Sequence, residues 1–304
     1  MSKQTVSLIG VPTDIGAGHR GASMGPEAMR VANLGVRLEK CGLTVVDRGN
    51  LQGPFNPWQP PTDGYRHLDE VVAWNAAVYT AVYHELQVGR VPLMLGGDHC
   101  LAIGSISAVA DHCRETGKKL RVLWLDAHSD FNTAEATPSG NIHGMPVACL
   151  CGHGPKALVE LGTSSPATTP DMFRQIGIRS VDYGEKELVR EAHVGVYDMR
   201  QIDEKGMKRV MEQALEGVDE DTHLHVSFDV DFLDPSIAPG VGTTVRGGPT
   251  YREAQLCMEM ICDSRRLASL DLVELNPAFD RRNATAKLAV DLIESLFGKS
   301  TLIR

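Results

Sequence analysis

No apolar stretch in this 304-residue sequence approaches the roughly 20 residues that a bilayer-crossing helix needs. The opening residues 1–10 run straight into a strand pattern instead of a cleavable leader. A cytoplasmic protein with no membrane partner is the expectation. Basic clusters are also missing, and the net charge of −9 argues against a nucleic-acid-binding surface. The cysteines Cys41, Cys100, Cys113, Cys149, Cys151, Cys257 and Cys262 are odd in number and lack paired zinc-ribbon spacing, so they read as reduced packing thiols. Cys100 is the exception to watch, because it directly follows His99 and is placed to sense oxidation there. No repeat stands out and no linker is long enough to divide the chain. A single domain over residues 1–304 is therefore expected, with ordinary apolar (42%) and charged (23%) fractions for a soluble globular protein.

Apolar strand-like runs recur at residues 6–11, 43–46, 92–95, 121–125, 175–178, 195–197, 223–228 and 268–274. Helical periodicity fills most of the gaps, at 26–40, 68–88, 203–215, 251–262 and 285–297. Strands alternating with helices predict a parallel sheet with helices on both faces. Eight such units also fit a closed barrel. Metal-dependent barrel hydrolases, however, usually carry a His-x-His pair on the first strand, whereas this one ends in Gly10, Val11 and Pro12, which favours an open sheet. Residues 52–63, with four prolines, and 152–170, rich in Gly, Ser, Thr and Pro, read as long irregular loops.

Against that background stand three runs of acids and histidines, each closing an apolar segment: Gly96-Gly97-Asp98-His99, Asp126-Ala127-His128-Ser129-Asp130 and Asp229-Val230-Asp231. In the second and third, metal-binding residue types recur at every other position, and an extended backbone sends alternate side chains to one side. Together they offer two imidazoles, His99 and His128, and four carboxylates, Asp126, Asp130, Asp229 and Asp231, too many for one tetrahedral zinc. Two metal ions are the simpler count. Four clustered carboxylates alone would repel and be driven toward protonation, whereas two divalent cations nearly neutralise them. Oxygen-rich sets without thiolate favour harder ions such as manganese. A lone Asp-x-Asp is commonly a cap or turn acid, but three such runs at strand ends match the place where parallel α/β proteins build ligand sites.

The segment Gly16-Ala17-Gly18-His19-Arg20-Gly21 fits a dinucleotide fingerprint, with Asp47 ending the second strand. That fingerprint works when its glycines lead directly into a helix holding the pyrophosphate. Here the helix starts only near Pro26, so a glycine-shaped loop beside the site is the better account.

In this order the runs resemble those of the ureohydrolases, the manganese enzymes that include arginase and agmatinase. The resemblance runs from the glycine-rich segment through Gly25-Pro26, across the three ligand runs, to Ser227-Phe228-Asp229-Val230-Asp231, Asp234-Pro235, Pro239-Gly240 and Glu274. It implies the arginase–deacetylase fold, a three-layer α/β/α sandwich around a mainly parallel eight-stranded sheet. Within the family the arginases are the best match, through Asn132-Thr133 and Ser139-Gly140-Asn141-Ile142-His143-Gly144-Met145-Pro146. There the residues matching Asn132, Ser139 and Asn141 hold the α-carboxylate of the substrate, and those matching Asp182 and Glu185 serve its α-amino end. Neutral amide and hydroxyl donors suit a carboxylate. Ser180 stands where many arginases carry another acid. The chain closes soon after its last helix, without the tail used by animal arginases, so a bacterial-type homotrimer or homohexamer is expected, with Arg252 and Glu253 matching a pair in subunit contacts.

The activity so implied is hydrolysis of L-arginine to L-ornithine and urea by a hydroxide bridging two Mn2+ per subunit. One ion would be held by His99, Asp126, Asp130 and Asp229, the other by Asp126, His128, Asp229 and Asp231. Glu274 would pair with the guanidinium, Asp130 would carry a proton to the leaving amine, His143 would exchange protons with solvent, and Thr243 would line the channel. Rival readings are an agmatinase or another guanidino-substrate ureohydrolase, which shares the metal site, a zinc deacetylase of the same fold, which needs fewer ligands, and a non-catalytic metal-binding subunit, which has no use for Glu274 and His143.

Overall fold

The computed structural model describes residues 4–302; the outermost residues of the expected 1–304 domain, including Met1 to Lys3 of the opening segment, lie outside the described residues. Each of the eight apolar runs is a strand. They are β1 Thr5–Val11, β2 Thr44–Asn50, β3 Val91–Gly96, β4 Lys119–Leu125, β5 Phe173–Ile178, β6 Gly195–Asp198, β7 Thr222–Asp229 and β8 Leu267–Val273. All pair in parallel in one open sheet of order β2-β1-β3-β8-β7-β4-β5-β6. The open sheet, and not the barrel, is therefore the correct reading.

The two-residue period of the strands divides the core in two. Leu93, Leu95, Leu123, Leu125, Val226, Phe228, Leu270 and Leu272 turn to one face, where they meet Met29, Leu34 and Leu38, Val210 and Met211, Met258, and Val290 and Ile293 from the helices laid across it. Met94, Val122, Trp124 and Val273 turn to the other, against Val71 and Val78 of helix Leu68–Gln87 and Ile103 and Ile106 of helix Ala102–Thr116. With both faces covered, β3 and β7 are buried along their whole length: β3 is apolar from Val91 to Leu95, whereas β7 alternates Leu224, Val226 and Phe228 with the buried polar residues His223, His225 and Ser227. The three-layer sandwich follows directly.

Two expected helices are broken. The 26–40 segment is Gly25–Val31 followed by Leu34–Lys40, because Asn33 adopts a left-handed conformation (φ 65) that an asparagine tolerates and a continuous helix cannot contain. The 203–215 segment is likewise split into Met199–Lys205 and Met207–Ala214 by Gly206 at φ 80 and ψ 149. Apolar periodicity survives both breaks, which hid them. The 52–63 segment is irregular as expected, apart from one bridge between Thr62 and Tyr65, whereas the 152–170 segment carries a short helix, Lys156–Val159.

What positions the site is the order of the four central strands. β3, β8, β7 and β4 are neighbours although they are distant in sequence, and the candidate residues all follow their carboxyl ends: His99 after β3, Glu274 after β8, Asp229 and Asp231 at β7, and Asp126 to Asp130 after β4. Such non-sequential neighbours open the crevice in which open α/β sheets bind ligands. The turn after β3 leaves no room for a side chain, since a Cβ at Gly97 would lie 1.7 Å from the carbonyl oxygen of Thr13. Gly97→Ala is thus expected to force the β1 and β3 turns apart, costing about 1–3 kcal/mol and weakening metal retention. Urea denaturation with metal analysis checks this; a wild-type midpoint with wild-type metal would refute the close approach as a requirement.

Candidate metal centre and substrate pocket

The three ligand runs are built alike. In each, an aspartate at the strand end accepts the backbone N–H two residues on: Asp98 from Cys100 at 3.0 Å, Asp126 from His128 at 2.6 Å and Asp229 from Asp231 at 2.7 Å. Such turns let a short acidic side chain replace a backbone hydrogen bond. An extended backbone, expected from the alternate spacing, does not carry these residues. β4 stops at Leu125, Asp229 is the last residue of β7, and the ligands beyond them sit in turns, with Asp130 in the left-handed region at φ 52. The ligands still converge, through turn geometry and not through the pleat.

His99 is the pivot of the first cluster. Its Nδ1 lies 3.1 Å from Asp126 Oδ2, 3.2 Å from Asp130 Oδ2 and 3.1 Å from Asp229 Oδ2. The ring is fixed from behind, with Nε2 against Ser227 Oγ at 2.8 Å and Trp124 stacked on it at 4.0 Å. Nδ1 is buried with no hydrogen-bond partner, so it is the atom left to coordinate. His128 anchors the second cluster, its Nδ1 3.1 Å from Asp231 Oδ2 and 3.5 Å from Asp126 Oδ1. Asp126 therefore turns one oxygen to each imidazole. Ligand atoms of His99, Asp126 and Asp130, and of Asp126, His128 and Asp231, converge closely enough to hold a metal in each group.

The electrostatics ask for added positive charge. Burial and the neighbouring Asp126 push the Asp130 carboxyl up to about 6, and burial with Asp231 and Asp126 raises that of Asp229 well above its usual range. Burial opposes protonation of His128, but Asp231 and Asp126 outweigh it and push the imidazole up to about 12. His99 is raised in the same way by Asp126, Asp130 and Asp229 against its burial. Protons thus gather where cations are wanted. The oxygen-rich donor set, the shared Asp126 and the free Nδ1 of His99 fit divalent metal.

Glu274, also left-handed at φ 62, stands beside the clusters with its own N–H on Gly97 O at 2.8 Å. Its Oε1 accepts the His99 N–H at 2.9 Å and lies 3.0 Å from His143 Nδ1. Burial would lower the His143 imidazole, but Glu274 outweighs it and pushes the ring up to about 9. Strained backbone at two candidate functional residues, Asp130 and Glu274, is the pattern found at active sites.

Above this floor the cavity wall includes Asn132, Thr137, Ser139, Asn141, Ser180, Asp182, Glu185 and Thr243. Asn132 Nδ2 donates to Asp182 Oδ2 at 3.0 Å, and the Oδ1 atoms of Asn132 and Asn141 are buried without partners. Both oxygens of Glu185 are taken by backbone N–H groups, those of Phe131 at 2.8 Å and Asp182 at 3.0 Å, so this acid braces the wall. Burial pushes its carboxyl up to about 7. Thr243 Oγ1 donates to the ligand Asp231 at 2.9 Å. Ser180 pairs through its backbone with His128. Arg252 and Glu253 lie away from the cavity, in the first turn of helix Tyr251–Ser264, where Glu253 closes a capping box with Thr250. Cys100, expected to be open to oxidation, is fully buried, and burial holds its thiol protonated.

Sequence reasoning missed Thr137 and Trp124, and gave Ser227 no role beyond its place in a matching run. Thr137 Oγ1 accepts the N–H of Gly140 at 3.1 Å, a turn for which Thr-Pro-Ser-Gly is the available signal. Trp124, which also donates to Asp126 Oδ2 at 2.9 Å, and Ser227 each lie two residues before a ligand on the same strand face.

Asp126→Asn and Asp229→Asn are each expected to lose bound metal, with chelation lowering the thermal midpoint of the wild type but not of the variants. Elemental analysis after dialysis decides; two tightly held ions in either variant would contradict the assignment.

Known proteins arrange these elements in the same way. The family model described as the Arginase family matches residues 4–298. The arginase of Bacillus caldovelox is 46% identical over 300 residues, covering 98% of this chain and 99% of the relative. Its native crystal structure superposes with a TM-score of 0.92 at 44% identity, over 98% of this chain and 100% of that one. The Entamoeba histolytica arginase solved with L-ornithine gives a TM-score of 0.90 at 30% identity, over 98% and 100% of the two chains. With a match spanning the sheet, all three ligand runs and the cavity wall, the chain belongs to the arginase family.

Proposed function

We propose that the protein hydrolyses L-arginine to L-ornithine and urea with two manganese ions per subunit. The observation that carries this reading is the pairing of a two-cluster acid–imidazole floor with a wall of neutral donors and one exposed acid at the mouth, which matches the two ends of an amino acid bearing a guanidinium. His99, Asp126, Asp130 and Asp229 would hold one ion, and Asp126, His128, Asp229 and Asp231 the other. When bound, such a pair supplies an ionised water near neutral pH.

The remaining work falls to the side chains. Glu274, buried and hydrogen-bonded by His99 N–H, offers its carboxylate to the guanidinium and fixes the approach of its carbon. After attack, Asp130 would carry the remaining proton of the ionised water to the departing amine. His143, half-buried between Glu274 and the mouth, returns a proton from solvent. Asn132, Ser139 and Asn141 receive the α-carboxylate, Asp182 the α-ammonium, and Glu185 braces Asp182. The binding of L-ornithine by the Entamoeba histolytica relative supports this subsite.

The family resemblance further supports a homotrimer or homohexamer, readable by light scattering. A single domain and a cytoplasmic setting belong to the same proposal; among the described residues, no helix is long and apolar enough to cross a membrane.

Urea release by manganese-loaded protein, with L-arginine and agmatine side by side, tests the reading: turnover of arginine with little of agmatine is expected, and preference for agmatine would contradict it. Asn132→Ala should raise KM for L-arginine about 5–10-fold, as one or two lost hydrogen bonds imply, with little change in bound metal. His143→Asn should keep both ions and turn over about 10²-fold more slowly; wild-type kcat would remove its proton role.

A further inference from the structure

The strap leaving β1, residues 13–21, takes no part in the chemistry above, yet it touches the segments that build the site. Thr13 O accepts the Asp98 N–H at 3.2 Å, Asp98 Oδ2 accepts the Gly16 N–H at 2.9 Å, and Gly16 O accepts the His143 N–H at 3.2 Å. Farther on, Arg20 O accepts from Asn276 Nδ2 at 3.1 Å, two residues beyond Glu274. The strap is closed on itself by the buried Asp14, whose Oδ2 accepts the Gly21 N–H at 2.8 Å and the Ser23 hydroxyl at 3.1 Å. It is a fixed wall, and its fit depends on glycines.

Those glycines differ in what they spare. A Cβ at Gly16 would meet Asp98 Oδ1 at 2.8 Å and Cys100 Sγ at 2.9 Å, and Gly21 holds a φ of 125 that other residues avoid. Gly18 is unlike either. It is exposed and its backbone lies outside the left-handed region, so alanine is conformationally acceptable there. The three nearest heavy atoms to a Cβ would all belong to the Asn141 side chain, led by Nδ2 at 2.7 Å. Asn141 Oδ1 is buried without a partner, so no hydrogen bond through that oxygen fixes the amide.

We propose that Gly18 is a specificity-determining position: its bare α-carbon lets the Asn141 amide lie against the strap and face the cavity, where any side chain at 18 would push it aside. The inference rests on the reading of Asn141 as part of the carboxylate subsite. It gives the glycine-rich segment a role without phosphate. Because the displaced atom is the end of a flexible side chain, the cost of a methyl group falls on the orientation of that amide and spares the fold.

The test is a double-mutant cycle of Gly18→Ala and Asn141→Ala on the manganese-loaded enzyme with L-arginine. Gly18→Ala alone should raise KM about 5–10-fold, with kcat within about twofold of wild type and with unchanged bound metal and thermal midpoint. In the Asn141→Ala background it should add nothing. An unchanged KM in Gly18→Ala, penalties that multiply in the double variant, or a joint fall in kcat and bound metal would each overturn the inference. If the wild type turns over L-arginine but Asn141→Ala leaves KM unchanged, the subsite assignment of Asn141 falls, and the role of Gly18 with it. If the wild type does not turn over L-arginine, it is the functional reading that fails.

Discussion

Four carboxylates, those of Asp126, Asp130, Asp229 and Asp231, are buried around two imidazoles at the carboxyl ends of adjacent strands, and the rest of the structure accommodates their repulsion. At separations of a few ångströms and away from bulk water, like charges of this number cannot remain uncompensated. Among the described residues, no lysine or arginine lines the cavity to answer them. What it offers instead is ligand geometry. Each strand-end aspartate is pinned by the backbone two residues on, Asp126 divides its oxygens between the imidazoles, and Ser227 and Trp124 hold His99 so that Nδ1 faces the acids. The raised carboxyls of Asp130 and Asp229 and the raised imidazoles of His99 and His128 express the same demand for positive charge, which a divalent cation would also meet.

From this floor the cavity grades outward in polarity and in rigidity. The clustered acids and imidazoles sit at the last residue of β7 and in the turns that follow the strands, Glu274 and His143 form a hydrogen-bonded layer above them, and the exposed mouth carries Ser139 and Asp182. The mouth comes from the segment 132–143, the first turn of helix Tyr183–Ala192 and, by the inference drawn from Gly18, the strap after β1. On the proposed function, chemistry and specificity fall to different parts of the fold. Loops set on a rigid scaffold can alter which substrate is held while the strand ends keep the reaction.

The strands were legible for two reasons: β3, covered on both faces, reads as an unbroken apolar run, and β7 shows the two-residue period of a strand in Leu224, Val226 and Phe228. The acids and imidazoles that converge were legible from residue type and recurrence alone, although the reason assigned to their spacing, an extended chain, was the wrong one. Asn33 and Gly206 broke helices unseen because a single left-handed residue leaves the apolar period on either side intact. The parts that Trp124 and Ser227 play behind His99 were hidden because a residue behind a candidate ligand looks like core. No local pattern distinguishes an acid that meets substrate from one, like Glu185, whose oxygens are spent on backbone amides. The expectations for Asn132, Ser139 and Asn141 came from family resemblance, since singly each is an ordinary turn residue.

The central claim is that the carboxylate cluster is completed by two metal ions acting as a pair. Titrating manganese into metal-stripped wild-type protein, while following bound equivalents and urea release from L-arginine in the same samples, tests it most directly. Activity that emerges as occupancy rises toward two ions per chain is the predicted result. Full activity at one bound ion, or in the stripped protein, would contradict it.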